Sequence, residues 1–286
     1  MSNYFLYYWG QKITRALPLN LAYRLACVMA DVQCFLSYQD RRNVEHNLHS
    51  ALGRPPLYQE TREVFRNFAR YLVDFFTMTG RVNEHFVKEH VQIKGMEQLN
   101  DILSHGKGGI IITAHLGNWE MGGAILPLMG FPISVVALPH QDVRVNNFFN
   151  NQREQFGCMV ISTNVAIRKV ITQLKQNKLV AILAERDFGP NGLRMPFLDK
   201  TALIPKGAAM FALKTQAPVV PAFFLRDGHD AFKVVFGETI FPPALKDEKI
   251  SDDDLKAFIN TYLGTIERFI RQYPTQWLMF RDFTQS

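Results

Sequence analysis

The sequence predicts an α/β fold: a mixed, largely parallel sheet covered by helices, with a helical N-terminal lead-in. Three observations carry this. Residues 1–80 hold apolar runs at helical spacing, and from residue 90 short β-like runs alternate with helical segments. A chain of 286 residues, 47% hydrophobic, is also long enough to bury both faces of such a sheet. We divide it into a lead-in, 1–86, and an α/β body, 87–286. No Gly/Ser linker separates them, so the two also read as one continuous domain packed together.

The lead-in opens on "YFLYYWG" (4–10), whose aromatic rings suit the headgroup level of a bilayer. The next stretch, 17–38, is long enough for a helix but is interrupted by Arg24 and Asp31. A spanning helix needs about 20 mostly apolar residues, so these charges argue against spanning. Two readings remain. One is an amphipathic helix lying in the interface, with Arg41 and Arg42 near anionic headgroups. The other is a plain buried helix, and the residue pattern alone does not separate them. The segment 62–78 places Val64, Phe65, Phe68, Tyr71, Leu72, Phe75 and Phe76 at helical spacing, as a core-facing helix requires.

In the body, strand-like runs fall at 91–95, 108–115, 133–138, 159–162, 179–187 and 217–227. A further run, 231–241, pairs with the last as a hairpin, since "RDGHDA" is good turn chemistry. Helical segments lie between them at 142–156, 164–176 and 205–215. The clearest helix is 251–274, with Ser251 as N-cap, Asp252 to Asp254 in its first turn and Pro274 after its end.

Composition narrows the function classes. The excess of 32 basic over 26 acidic residues suits an anionic partner without choosing one. No nucleic-acid-binding motif accompanies it. Cys27, Cys34 and Cys158 show neither a CxxC nor a ligand pattern. A disulfide framework and a metal site are therefore not expected, and a reducing, cytoplasmic setting is. The first residues lack the features of a secretory signal.

Functional groups in α/β sheets gather where strands end. His115 stands at such a point, directly after "GGIIITA", and Glu120 lies one turn on, in a helix that Asn118 is placed to N-cap. A carboxylate on one imidazole nitrogen fixes the tautomer and leaves the other to take a proton from a hydroxyl. The His-x4-Glu spacing alone reads first as two polar residues capping a strand and opening a helix, since chance supplies it easily. A second constellation, "LAERDFGPNGLRMPF" (183–197), places Glu185, Arg186 and Asp187 after a buried-type strand. It reads as a structural ion pair, as a phosphate-binding group or as a hold on a loop over a site. Arg153 lies on a predicted helix, and Lys206 near a helix N-terminus, a natural anion-binding position.

Five segments in this order resemble the lipid A biosynthesis acyltransferases, the lauroyl- and myristoyl-transferring enzymes of the glycerolipid (lysophospholipid) acyltransferase superfamily. They are "RRNVEHNL" (41–48), "ITAHLGNWE" (112–120), "AERDFGPNG" (184–192), "GAAMFALKTQAPVVPAFFLR" (207–226) and "PTQWLMFRDF" (274–283). The resemblance implies a glycerolipid acyltransferase-like fold and acyl transfer from a thioester of acyl carrier protein or coenzyme A. The acceptor would be a hydroxyl of a lipid A precursor, in the late acylation of Kdo-lipid A. The acyl thioester serves as co-substrate and no further cofactor or metal is implied.

The resemblance also makes His115 the general base and Glu120 its orienting partner. Arg153 would bind substrate phosphate or support the oxyanion, and Asp187 would position a loop. Gly117, Asn118, Glu185 and Lys206 complete the expected substrate-binding set. Glu185 stands where the family more often has Asp. The expected location is the cytoplasmic face of the inner membrane, in peripheral or monotopic attachment to an anionic surface. Competing expectations are a different acceptor (another glycolipid, a phospholipid or an aminolipid) and a silent lipid-binding homologue.

Overall fold

Each apolar run of the lead-in forms a helix in the computed structural model, which describes residues 4–186, 192–245 and 249–284. These helices are α1 (Tyr4–Ala16), α2 (Leu19–Leu36), α3 (Tyr38–Leu52) and α4 (Tyr58–Arg81). Gly53, at φ +67°, ends α3 in the left-handed conformation that glycine adopts without a Cβ clash. Helix α2 lies along α4. Asp31, which interrupts its apolar run, turns inward, and Arg66 of α4 donates to both its oxygens at 2.7 and 2.6 Å. Arg24 remains outside, beside exposed Leu21, Leu25 and Val28.

The body continues as α5 (Glu84–His90), β1 (Val91–Lys94), α6 (Glu97–Ser104), β2 (Gly109–Thr113), α7 (Trp119–Leu128), β3 (Ile133–Ala137), α8 (Val143–Glu154) and β4 (Met159–Ser162). Then come α9 (Ala166–Lys175), β5 (Leu179–Leu183), β6 (Leu193–Phe197), β7 (Lys200–Ile204), α10 (Gly207–Thr215), β8 (Val219–Arg226), β9 (Phe232–Phe236) and α11 (Asp252–Gln272). Among the described residues, seven strands form one sheet in the order β1-β9-β8-β2-β5-β3-β4. Strands β8, β2, β5, β3 and β4 run parallel, β9 turns back on β8 as the expected hairpin, and β1 runs parallel to β9. This is the mixed, largely parallel sheet with a helical N-terminal region that the sequence predicts.

Strand β2 lies in the middle, paired with β5 and β8, and is buried on both faces. Its sequence "GIIIT" is accordingly apolar throughout rather than alternating. Ile110 and Ile112 point into one core, closed by α9, α10 and α11. Ile111 points into the other, where Phe75 and Phe76 of α4 meet Met121 and Ile125 of α7. Phe75 and Phe76 thus bring the lead-in into the core on that face of the sheet. Helix α11 opens on a capping box: Ser251 Oγ accepts from the Asp254 amide at 3.1 Å, and the Asp254 carboxylate accepts from the Ser251 amide at 2.9 Å.

After α11 the chain crosses back over the carboxyl edge of the sheet. Leu116 and Trp277 form an antiparallel bridge, and the Leu278 amide donates to the His115 carbonyl at 2.7 Å. Two asparagines one turn apart on α3 fix this tail. Asn43 donates to the Phe280 carbonyl, and Asn47 to the carbonyls of Met279 and Arg281, at 2.8–2.9 Å. The ribbon β6–β7 was not expected, nor were the short helices α5 and α6.

Candidate active site

Register brings the central residues together. Thr113 of β2 lies opposite Leu183 of β5. Two residues further on, past the bond from the Ala184 amide to the Thr113 carbonyl (2.9 Å), His115 and Glu185 leave the sheet side by side. Oε1 of Glu185 accepts from the His115 amide at 2.9 Å and meets His115 Nδ1 at 2.5 Å. The Glu185 side chain is fully buried, and the imidazole is 20% exposed. An ionised carboxylate only accepts, so Nδ1 carries the proton in this pair. Trp119 stands edge-on to the imidazole, ring centres 4.9 Å apart, and stacks on buried Tyr71 at 4.7 Å.

The expected partner of His115 was Glu120, and here the structure corrects the sequence. Glu120 sits in the first turn of α7 and faces the last turn of α8. There Arg153 donates Nε and Nη2 to its two oxygens at 2.8 and 2.5 Å. A planar fork matching both carboxylate oxygens explains the choice. Burial alone would lower the pKa of Arg153, but the Glu120 charge outweighs it and holds the guanidinium above its ordinary value. Arg153, expected to contact substrate phosphate or the oxyanion, is ion-paired with Glu120 at the α7–α8 junction.

Gly117 and Asn118 shape the turn between. Gly117 has φ +69°, and a Cβ there would stand 2.0 Å from the Phe224 carbonyl oxygen. Only glycine allows so close an approach of loop to strand. Its amide donates to the Gln276 carbonyl at 2.9 Å, and that of Asn118 to the Phe224 carbonyl at 2.7 Å. Both amides are therefore engaged by the fold rather than turned to a reacting carbonyl. Asn118 N-caps α7 as expected, its Oδ1 accepting from the Met121 amide at 3.1 Å. Lys206 precedes α10, which returns antiparallel to β8, so that helix's N-terminus lies at the same end of the sheet as His115. Asp187 lies outside the described residues, as does most of the glycine-proline loop after it.

A buried charge cluster stands behind this turn, and sequence reasoning missed it. Asp74 of α4, fully buried, accepts from Tyr23 of α2 and from Arg226 at the end of β8. It also accepts from Arg81 at 3.1 Å and from the Asn118 side chain at 3.0 Å. Burial and the Asp74 charge push the Tyr23 phenol up to about 12. Gln276 exchanges two 2.9 Å bonds with the Arg226 backbone, joining the tail to the same place. The available signal was a lone acid inside the apolar helical run "YLVDFFTM".

The fold and site together are a mixed, largely parallel α/β sheet with a His–carboxylate pair at its carboxyl edge. Over residues 1–283 the chain matches the bacterial lipid A biosynthesis acyltransferase family, and it belongs to that family. It is 24% identical to a phosphatidylinositol mannoside acyltransferase of Mycolicibacterium smegmatis over 247 residues, covering 83% of this chain and 77% of that one. A phosphatidylinositol mannoside acyltransferase of Mycobacterium tuberculosis is 24% identical over 281 residues, 95% and 85% of the two chains. A lipid A biosynthesis acyltransferase of Haemophilus influenzae is 23% identical over 141 residues, 48% and 44%. The protein is thus an acyltransferase of the glycolipid type, using an acyl donor and a lipid acceptor.

Proposed function

We propose that the protein moves a fatty acyl chain from a thioester of acyl carrier protein or coenzyme A to a hydroxyl of a lipid A precursor, at the cytoplasmic face of the inner membrane. The observation that carries the mechanism is the 2.5 Å contact between His115 Nδ1 and Glu185. With Nδ1–H held by the carboxylate, proton acceptance falls to Nε2. Nε2 takes the acceptor's O–H proton as its oxygen attacks the thioester carbonyl, and Glu185 stabilises the imidazolium that forms. The tetrahedral intermediate then collapses. The C–S bond breaks, the leaving thiolate takes the proton back from Nε2, and an ester and a free thiol result. Glu120 and Arg153 support this by fixing α7, which carries Trp119 against the imidazole.

The relatives' names support a second acceptor within the same chemistry. Two of the relatives named above act on phosphatidylinositol mannoside, so a mannosylated phospholipid stands beside the lipid A precursor. Peripheral attachment is supported by α2, which at 18 residues and mean hydropathy 1.2 is long and apolar enough to cross a membrane but lies along α4. The test is incubation with acyl carrier protein and coenzyme A thioesters and a panel of acceptor lipids, read by mass spectrometry. Transfer to a Kdo-bearing lipid A precursor is expected, and His115→Ala should abolish it while the protein stays folded. Transfer only to other lipids overturns the acceptor but spares the mechanism. A wild-type rate in His115→Ala overturns the mechanism itself.

A further inference from the structure

The segment "RRNVEHNL" on α3 holds more than the fold requires. Asn43 and Asn47 clamp the C-terminal tail, and Arg41 caps α2 by donating to the carbonyls of Cys34 and Phe35 at 2.9 and 3.0 Å. Gln39, Arg42 and His46 follow one another at i, i+3 and i+7 on one flank of the helix. With Asn43 and Asp282 they line an open cavity of about 310 Å³. Arg42 is exposed, lies over the Tyr38 ring at 5.7 Å, and has no ion-pair partner among the described residues. His46 Nδ1 is 3.2 Å from Asp282 Oδ1. Asp282 is the one acid in the lining, and it is already engaged by the Thr284 amide and hydroxyl at 2.9 and 2.7 Å. Arg281 precedes it in the tail. Buried Arg186, 3.5 Å from Met279 Sδ, lies near enough to Arg281 to feel its charge, which adds to burial in lowering its pKa.

Two facts of position say what such a cavity would take. It opens where the exposed apolar face of the lead-in ends: Phe35, Leu36 and Tyr38, 72%, 71% and 60% exposed, immediately precede it in the chain. If that face meets lipid, Arg42 stands at the level of the headgroups, where guanidinium groups pair with phosphate. The cavity is also joined to the reacting histidine. Leu278 is bonded to His115, and Asp282 follows four residues later, a reach of at most about 14 Å for extended chain. We propose that this cavity seats a phosphate group of the acceptor lipid, held by Arg42, His46 and Gln39, while the acceptor's hydroxyl lies at His115. The proposal rests on the acyl-transfer reading above and adds to it the anionic group by which the acceptor is recognised.

The test uses full-length protein in neutral detergent with two acceptors, a lipid A precursor and the same glycolipid stripped of its phosphates. Wild type should show a KM for the phosphorylated acceptor about ten- to a hundredfold below that for the stripped one, the scale of one charge-assisted hydrogen bond. Arg42→Gln should erase most of that difference, shifting the acceptor KM and not the donor KM. Arg42→Lys should restore part of it. Three results overturn the proposal: a shift in the donor KM instead, reduced partitioning onto anionic phospholipid vesicles with the acceptor KM intact, or no change in either. If no acceptor is acylated at all, the acyl-transfer reading fails by itself. Tryptophan-fluorescence titration of wild type and Arg42→Gln with the two lipids then decides the cavity: equal binding by both proteins overturns it.

Discussion

Glu185 and Glu120 are both buried carboxylates near one histidine, and they separate under substitution. Glu185→Gln keeps the shape and a hydrogen bond to Nδ1 but cannot stabilise an imidazolium. It also lets the ring settle in the wrong tautomer, so kcat should fall by about 10²- to 10⁴-fold with little change in KM. Glu120→Gln instead leaves the Arg153 guanidinium half-paired in a buried site. The expected result is a loss of about 3–5 kcal/mol of stability, read by denaturant unfolding, with residual activity following the folded fraction. If Glu120→Gln lost turnover at full stability while Glu185→Gln kept it, the pairing would be assigned the wrong way round. Glu120 has a second measurable consequence. Burial and its nearby charge push the Cys158 thiol up to about 12, well away from the reactive thiolate form. Native alkylation should mark half-exposed Cys27 and spare Cys158, as peptide mass mapping would show.

The charge pairs that join α2 to α4, and both to the body, differ in worth with their burial. Asp74 answers Arg81, Arg226, Tyr23 and Asn118 at once. Asp74→Leu strands two arginines and should cost about 3–5 kcal/mol, lowering Tm by at least about 5 °C. The Asp31–Arg66 pair is half-exposed and is worth about 1 kcal/mol or less. The Arg66 hydrogen bonds hold the Asp31 carboxyl below its ordinary value of 3.8. Its contribution is therefore present above that unfolded value and is lost as pH falls through the folded one. Asp31→Asn should reduce stability at pH 7 and make no difference in stronger acid. These junctions also show where sequence reading stops. The strands 133–137 and 159–162, and the caps Asn118 and Ser251, are legible because local spacing and capping chemistry specify them. The partner of His115 is not. It lies 70 residues away, and only the pairing of β2 with β5 brings it near, whereas the Glu120 spacing is visible in one line. The ribbon β6–β7 was hidden for a related reason. "GLRMPF" looks like loop because of Gly192 and Pro196, yet Leu193, Met195 and Phe197 alternate inward. An isolated two-stranded ribbon tolerates the missing proline amide.

The whole molecule is polarised by one surface. Along α2, Leu21, Leu25, Val28, Val32 and Phe35 form an exposed stripe at helical spacing, and Phe5, Trp9 and Ile13 extend it on α1. Apolar exposure of this extent marks an interaction face, and the bilayer that holds a glycolipid acceptor is the partner it suits. Deleting residues 1–38 is a poor way to ask, because it also removes Tyr23 from Asp74, Asp31 from Arg66 and the Arg15 bond to the Phe76 carbonyl (2.7 Å). Release from membranes would then be indistinguishable from unfolding. Val28→Glu with Val32→Glu avoids this, since both side chains are more than half exposed. Stability should stay within about 0.5 kcal/mol per site. Each lost insertion of an apolar side chain is worth about 1.5–3 kcal/mol, so membrane partitioning should fall at least tenfold. The double variant should therefore move from the membrane pellet to the supernatant while still acylating acceptor dispersed in detergent. Unchanged pelleting in high salt, where electrostatic attachment is screened, would show that this stripe does not face the lipid.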